Sequence, residues 1–318
     1  MRGAFLDFQT VSFHDDVDPA PLQVVLNGLQ LWPSTAYSEL REHTDGATVL
    51  LSNKVRLDGS FIRSSPGLQL ICVAATGTDN VDLEAARHRG IAVCNVPAYS
   101  TLSVVQQVFA LILNLTQHLR EYEALLLQGT WRRAPQFTLL DYPIRELAGK
   151  QFGILGYGDI GKAVAKVAKA FGMQVKIGAR NVEDKRPGRL ALEDLLSHVD
   201  VLTIHVPLLP ETRNLIGSAE LALMKPDALL INCARGGIVD EQALADALKV
   251  GKLGGAGFDV LSEEPPVHGN PLLTPGIPNL IVTPHIAWAA REARQRVIVE
   301  MALNIEAFKK GEKRNRVA

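Results

Sequence analysis

The sequence predicts an α/β protein of two doubly wound, parallel-sheet domains, and three observations carry that prediction. Short apolar runs alternate with segments of helical periodicity along the whole chain. Such alternation builds strand–helix–strand units, and hence parallel sheets covered on both faces. The length of 318 residues suits two domains at roughly 100–200 residues each. A glycine-rich turn between a strand and a helix falls at Gly156, mid-chain. A second α/β block therefore begins there, after a first one of comparable size.

The elements follow in order. Ala4–Phe8 reads as a strand, and Asp18-Pro19 as a helix start with proline at the first helical position, ended by Gly28. Ala47–Leu51 and Leu68–Ala74 are β-rich. Asp82–His88 is helical and gives way at Gly90 to the strand Ile91–Asn95. Ser100 to about Gln128 reads as one long helix. Val104, Val105, Val108, Leu111, Ile112 and Leu115 make it too apolar for a surface, so burial between domains or subunits is expected. Gly129–Tyr142 has little periodicity and reads as an extended excursion. Six strands follow: Gln151–Leu155, Gln174–Gly178, Val201–Ile204, Ala228–Asn232, Gly255–Phe258 and Leu280–Val282. Six strands with short crossovers fit a dinucleotide-binding sheet. A final amphipathic helix, Arg291–Lys310, closes the chain.

Composition excludes several classes. Lys plus Arg is 33 against 34 Asp plus Glu. That balance argues against a nucleic-acid binder, which needs a clustered basic excess. No apolar run approaches the ~18 residues that span a bilayer, and the N-terminus lacks a signal-peptide pattern. Three cysteines, Cys72, Cys94 and Cys233, form no CxxC pair, so buried thiols in a reducing compartment are expected, with the cytoplasm as location. No metal-ligand spacing stands out.

Gly156-Tyr157-Gly158-Asp159-Ile160-Gly161 fits GxGxxG after the strand FGIL and before the helix IGKAVAKVAKAFG. In that context the first glycine permits the tight turn, and the second lets backbone approach a pyrophosphate. The third lets helix pack on strand, and the helix N-terminus attracts phosphate. An NAD-selective site expects an acidic residue ending the next strand. Here Ala179 occupies that place and Arg180 follows. Loss of a carboxylate and gain of a bidentate cation favour NADP(H). Two alternatives stay open: Arg180 stacks on adenine and either cofactor binds, or Glu183 and Asp184 reach the ribose from their loop.

Three segments stand at the carboxyl ends of strands, where ligands bind in doubly wound sheets: Asn232–Gly237, Asp259–Pro265 and Pro284–Ala287. They bring Arg235, Glu264 and His285 within range of one cleft. Reduction of a 2-oxo acid needs those three types. A guanidinium fork grips the carboxylate, an imidazole donates the proton, and a carboxylate orients the imidazole. A lone histidine is more often structural; three such residues after three strands are not so easily dismissed.

With these residues in place, the chain resembles the D-isomer-specific 2-hydroxyacid dehydrogenase family. GYGDIG, HVPLLPETRNLI, LLINCARGGIVDEQAL, GGAGFDVLSEEPP and VTPHIAW carry the resemblance. ATGTDNVD and CNVPAYSTLSVVQQVFALIL are similar to its glycerate dehydrogenase, or hydroxypyruvate reductase, branch. The resemblance spans about residues 45 to 310. Gln106 stands where many relatives carry Glu.

The resemblance implies a Rossmann NAD(P)-binding domain, residues 99–286, inserted into a flavodoxin-like substrate-binding domain, residues 1–98 and 287–318. It implies Arg235 as the substrate-binding cation, His285 as acid/base and Glu264 as its support. Backbone N–H groups of Ala75, Thr76 and Gly77 are implied to hold the substrate carboxylate, and Asp259 to bond the nicotinamide amide. Thr101, His205, Val206, Pro207, Thr212, Cys233 and Ala234 are implied to line the cofactor cleft beside the glycine loop. A homodimer through the long helix and the excursion is implied as well. The expected activity is reversible reduction of hydroxypyruvate or glyoxylate to the D-2-hydroxy acid. Rival readings on the same scaffold are phosphoglycerate, formate or phosphite oxidation, and a dinucleotide-sensing binding protein.

Overall fold

A computed structural model describes residues 1–181, 183, 184 and 186–318. The chain divides into two compact units, Met1–Ser100 with Trp288–Ala318, and Thr101–Ala287. The divisions fall one or two residues later than the sequence suggests. Tyr99 stays with the first unit because its ring is buried against Trp288 and its carbonyl accepts from Arg296 Nε. Ala287 stays with the second because its N–H donates to Asp259.

The first unit holds strands β1 (Gly3–Phe5), β2 (Leu29–Leu31), β3 (Val49–Ser52), β4 (Leu70–Val73) and β5 (Ala92–Cys94). All pair in parallel in the order β2-β1-β3-β4-β5, the flavodoxin-like arrangement. Strands β1, β3, β4 and β5 are buried throughout, as expected of a sheet covered on both faces. One face is covered by the final helix, Arg291–Lys309, through Val297, Ile298, Met301 and Ile305. The other is covered by Leu40, Phe61, Ile62 and Ala86 from helices between the strands.

The second unit holds β6 (Gln151–Leu155), β7 (Gln174–Gly178), β8 (Arg189–Leu190), β9 (Val201–Ile204), β10 (Leu229–Asn232), β11 (Gly255–Phe258) and β12 (Leu280–Val282). Their order, β12-β11-β10-β9-β6-β7-β8, is the Rossmann order extended by one strand. Register fixes the site. Leu155, Ile204, Asn232, Phe258 and Val282 stand in one row across five strands. The next residue of each strand is Gly156, His205, Cys233, Asp259 and Thr283, so every loop of interest leaves the same edge.

The long helix expected from Ser100 to about Gln128 is broken. Thr101–Gln117 and Leu119–Leu127 meet at 55° across His118, which adopts a left-handed φ of 52°. The break has a tertiary cause: Arg145 N–H, from the returning excursion, takes the Thr116 carbonyl. The first helix is buried in the second unit's own core, against Phe152, Ile154 and Val164. Burial of each such aliphatic side chain contributes about 1.5–3 kcal/mol. The second helix buries no residue. Among the described residues no single helix is long and apolar enough to cross a membrane.

Candidate active site

The glycine turn is the tightest part of the edge. A Cβ on Gly156, whose φ is 93°, would lie 2.5 Å from the His205 backbone, and one on Gly161 would lie 2.1 Å from the Gly156 carbonyl. Neither position admits a side chain. A Cβ on Gly158 would meet nothing within 4 Å, so open space fronts the backbone there. Behind it, the helix Asp159–Ala170 leaves its first N–H groups without intrahelical partners. These residues fit a dinucleotide pyrophosphate. Beside them the Tyr157 ring carries the Arg189 guanidinium 5.0 Å from its centroid.

Past β7, Ala179 is half-buried and Arg180 exposed. The Arg180 N–H donates to Asp184 Oδ2 (2.8 Å), and Arg186 grips the same carboxylate through Nε (2.7 Å) and Nη2 (2.6 Å). The Arg186 bonds, with that backbone donor, hold the Asp184 carboxyl well below the usual carboxylate range.

His205 enters the edge by its backbone. Its N–H donates to Leu155 O (2.6 Å), and its ring shares a 3.0 Å bond between Nε2 and Thr203 Oγ1. Burial lowers its pKa from 6.5 to about 4, so the ring is neutral at pH 7. Val206 and Pro207 follow it into a loop tied by Thr212, whose hydroxyl donates to Pro207 O and accepts from Leu209 N–H, both at 2.7 Å. Burial raises the Cys233 thiol, which removes it from thiolate chemistry.

Asn232, fully buried, sets the next turn. Its Oδ1 accepts from Ala234 N–H (3.0 Å) and its Nδ2 donates to Arg235 O (2.9 Å). The exposed Arg235 side chain spends one N–H on Ala234 O (2.8 Å), leaving most of its donors to face outward.

His285 Nδ1 lies 2.6 Å from Glu264 Oε2, and Glu264 Oε1 accepts from Leu261 N–H at 2.9 Å. A carboxylate on Nδ1 fixes the ring and leaves Nε2 on the opposite side of it. His285 holds a left-handed φ of 55°, and its N–H donates to the Asp259 carbonyl at 2.8 Å. The buried Asp259 carboxylate accepts from the Thr283 hydroxyl, from Ile286 N–H (2.9 Å) and from Ala287 N–H (2.7 Å). Burial raises its pKa, against those donors. Asp259 is thus committed to the His285 turn, with acceptor capacity to spare for one further donor. Gln107, on the first long helix, donates to Thr283 Oγ1 (3.1 Å), and Thr101 opens that helix.

In the first unit, Ala75, Thr76 and Gly77 follow β4. The Ala75 carbonyl accepts from Val96 N–H (3.0 Å), the Thr76 hydroxyl donates to Val96 O (3.0 Å), and Asn95 Nδ2 donates to Thr76 O (2.7 Å). With the segment pinned from that side, the three N–H groups of Ala75, Thr76 and Gly77 meet no partner among the described residues. Successive unspent N–H groups suit an anion.

Sequence reasoning missed Asn232, Gln107 and Thr283. Asn232 and Thr283 adjoin the motifs, and their position was a usable signal. Gln107, a polar residue inside an apolar helix, gave none.

The model for the D-isomer specific 2-hydroxyacid dehydrogenase NAD binding domain matches residues 109–287. A glycerate dehydrogenase from Methylorubrum extorquens is 46% identical over 277 residues, 87% of each chain. A hydroxypyruvate reductase from Blautia hydrogenotrophica is 38% identical over 281 residues, again 87% of each. A crystal structure of a Thermus thermophilus protein is similar over 100% of both chains, with a TM-score of 0.85 and 35% identity.

Proposed function

The chain belongs to the D-isomer specific 2-hydroxyacid dehydrogenase family, and from that premise we propose that it reduces a small 2-oxo acid, hydroxypyruvate or glyoxylate first, to the D-2-hydroxy acid. The observation that carries this reading is the 2.6 Å His285–Glu264 pair on the strand edge that also bears the glycine turn. When bound, the nicotinamide cofactor supplies hydride to the substrate's C2. The protein's residues do the rest. His285 delivers a proton to the carbonyl oxygen, and Glu264 keeps the imidazole oriented. Arg235 pairs with the substrate carboxylate. The N–H groups of Ala75, Thr76 and Gly77 are a second carboxylate receptor. Gly156, Tyr157, Gly158, Asp159, Ile160 and Gly161 hold the pyrophosphate.

For the cofactor, the exposed Arg180 and the absence of an acidic residue at Ala179 support NADP(H). Asp184 opposes it, since it already occupies the Arg180 N–H and the Arg186 fork. For assembly, Leu127, Trp131, Phe137 and Leu140 stand exposed within one short arm, and a second copy of the chain is the occupant we propose. Light scattering on a column would read that directly. Three free, buried cysteines suit a reducing compartment such as the cytoplasm.

The test is a panel of glyoxylate, hydroxypyruvate, pyruvate and bulkier 2-oxo acids, each with NADH and NADPH, followed at 340 nm. Turnover highest on the two small acids is expected. No turnover on any of them would overturn the reading.

A further inference from the structure

Glu241 opens the helix Glu241–Lys249 and is buried. A buried carboxylate is costly unless its oxygens are satisfied. Among the described residues no cationic group pairs with it. Its three partners all come from the loop that carries Glu264. Oε1 accepts from Ser262 N–H, and Oε2 accepts from Ser262 Oγ and Asn270 Nδ2, each at 2.6 Å. The helix itself does not need this side chain as a cap. The Asp240 carboxylate already accepts from Gln242 and Ala243 N–H.

The same stretch of loop is pressed from a second direction. A Cβ on Gly236, next to Arg235, would lie 1.9 Å from Leu261 O and 2.5 Å from Ser262 N. The Leu261–Ser262 peptide is therefore held between the Gly236 backbone and the Glu241 carboxylate. Its neighbour, Leu261 N–H, is the donor that fixes Glu264 Oε1, while Glu264 Oε2 meets His285.

We infer that Glu241 is a positioning residue for the reaction: it fixes the Leu261–Ser262 peptide and through it holds Glu264 against His285. This rests on the proposed dehydrogenase reading. The chemistry agrees with the geometry, since a misplacement of about 1 Å at an acid/base group can cost about 100-fold in rate. Asn270 completes the arrangement by capping the turn Pro271–Leu273 with its Oδ1 while its Nδ2 serves Glu241.

The experiment compares wild type, Glu241→Ala, Glu241→Gln, Glu264→Ala and the double alanine variant in steady-state kinetics, NADH binding by fluorescence and thermal unfolding. Glu241→Ala is expected to lower kcat about 10- to 100-fold with the NADH Kd unchanged. In the Glu264→Ala background the same change is expected to cost less than about twofold, because the group it positions is gone. Glu241→Gln keeps an acceptor for Ser262 but turns a donor toward Asn270, so an intermediate loss of about threefold to tenfold is expected. Wild-type kcat in Glu241→Ala or in Glu241→Gln, or fully additive losses in the double variant, would overturn the inference. If Glu241→Ala fails to fold, Glu241→Gln alone decides by the same criterion. Absence of turnover in wild type would instead sink the functional reading, and the inference with it.

Discussion

Each unit fixes a loop at the carboxyl end of its sheet with a buried acidic residue, and the two do so by different means. In the first unit, Asp7 accepts from the N–H groups of Asn53 (2.8 Å), Lys54 (2.6 Å) and Val55 (3.2 Å), just past β3. In the second, Glu241 accepts from one N–H, one hydroxyl and one side-chain amide. Backbone donors are present whatever the side chains are. The Asp7 loop is therefore set by the path of the main chain, and substitutions at Asn53 or Lys54 would leave its anchor in place. The Glu241 loop depends on Ser262 and Asn270 by identity, so it can be loosened one residue at a time. The first arrangement protects the fold, and the second concentrates sensitivity at the proposed acid.

The largest break is expected from His285→Ala, which removes the proposed acid. Loss of kcat by about 10²–10⁴-fold with NADH binding intact is the expected result. Unchanged turnover would remove His285 from the mechanism. Asp7→Ala should reverse the pattern. It strands three N–H groups and is expected to lower unfolding stability by about 3 kcal/mol or more in urea titrations, at about 1–3 kcal/mol per unpaired group. A stability loss below about 1 kcal/mol would show that water replaces the carboxylate.

Acid should separate the two units further. His205 has a folded pKa of about 4 against 6.5 in the unfolded chain. A base depressed in this way stabilises the fold above about pH 6.5 and loses that contribution as pH falls toward 4. The difference amounts to about 3 kcal/mol, and His205→Asn should flatten the unfolding free energy between pH 7 and 4.5. Asp7 has the opposite sign. Its pKa is raised by burial against its backbone donors, so its contribution is greatest below about pH 4 and fades as pH rises through the folded value. Equal acid sensitivity in wild type and the His205 variant would exclude His205 as the cause. The smallest expected effect concerns the cofactor. Arg180→Ala should reduce any preference for NADPH in kcat/KM about tenfold, the worth of one charge-assisted contact. An unchanged ratio would leave Arg180 without a 2′-phosphate role.

Much of the second unit was legible in the sequence. Gln151–Leu155, Gln174–Gly178, Val201–Ile204, Gly255–Phe258 and Leu280–Val282 are strands at the residues expected. Where the strands are covered on both faces, as at Val201–Ile204 and Gly255–Phe258, they are near-continuous apolar runs, which is the plainest signal a strand can give. The two strands not foreseen, Leu29–Leu31 and Arg189–Leu190, are edge strands and only partly buried, so no such run marks them. The break at His118 was invisible because its cause, Arg145, lies 27 residues away in the chain. Arg235, Glu264 and His285 could be placed at strand ends from motif position alone. The 2.6 Å meeting of Glu264 with His285 depends on a loop held by Glu241, and nothing local to Glu241 announces that it is buried.

The final helix has a consequence in time. Val297, Ile298, Met301 and Ile305 fill one face of the first unit, yet they leave the ribosome only after the whole of Thr101–Ala287. At ~5–20 residues per second, the stretch between Ser100 and Trp288 takes roughly 10–40 s to synthesise. During that interval the N-terminal strands lack their cover, while Thr101–Ala287 emerges as a complete unit. The nascent protein therefore finishes its nucleotide-binding unit first, while the N-terminal strands wait, with apolar surface bare, for the helix Arg291–Lys309.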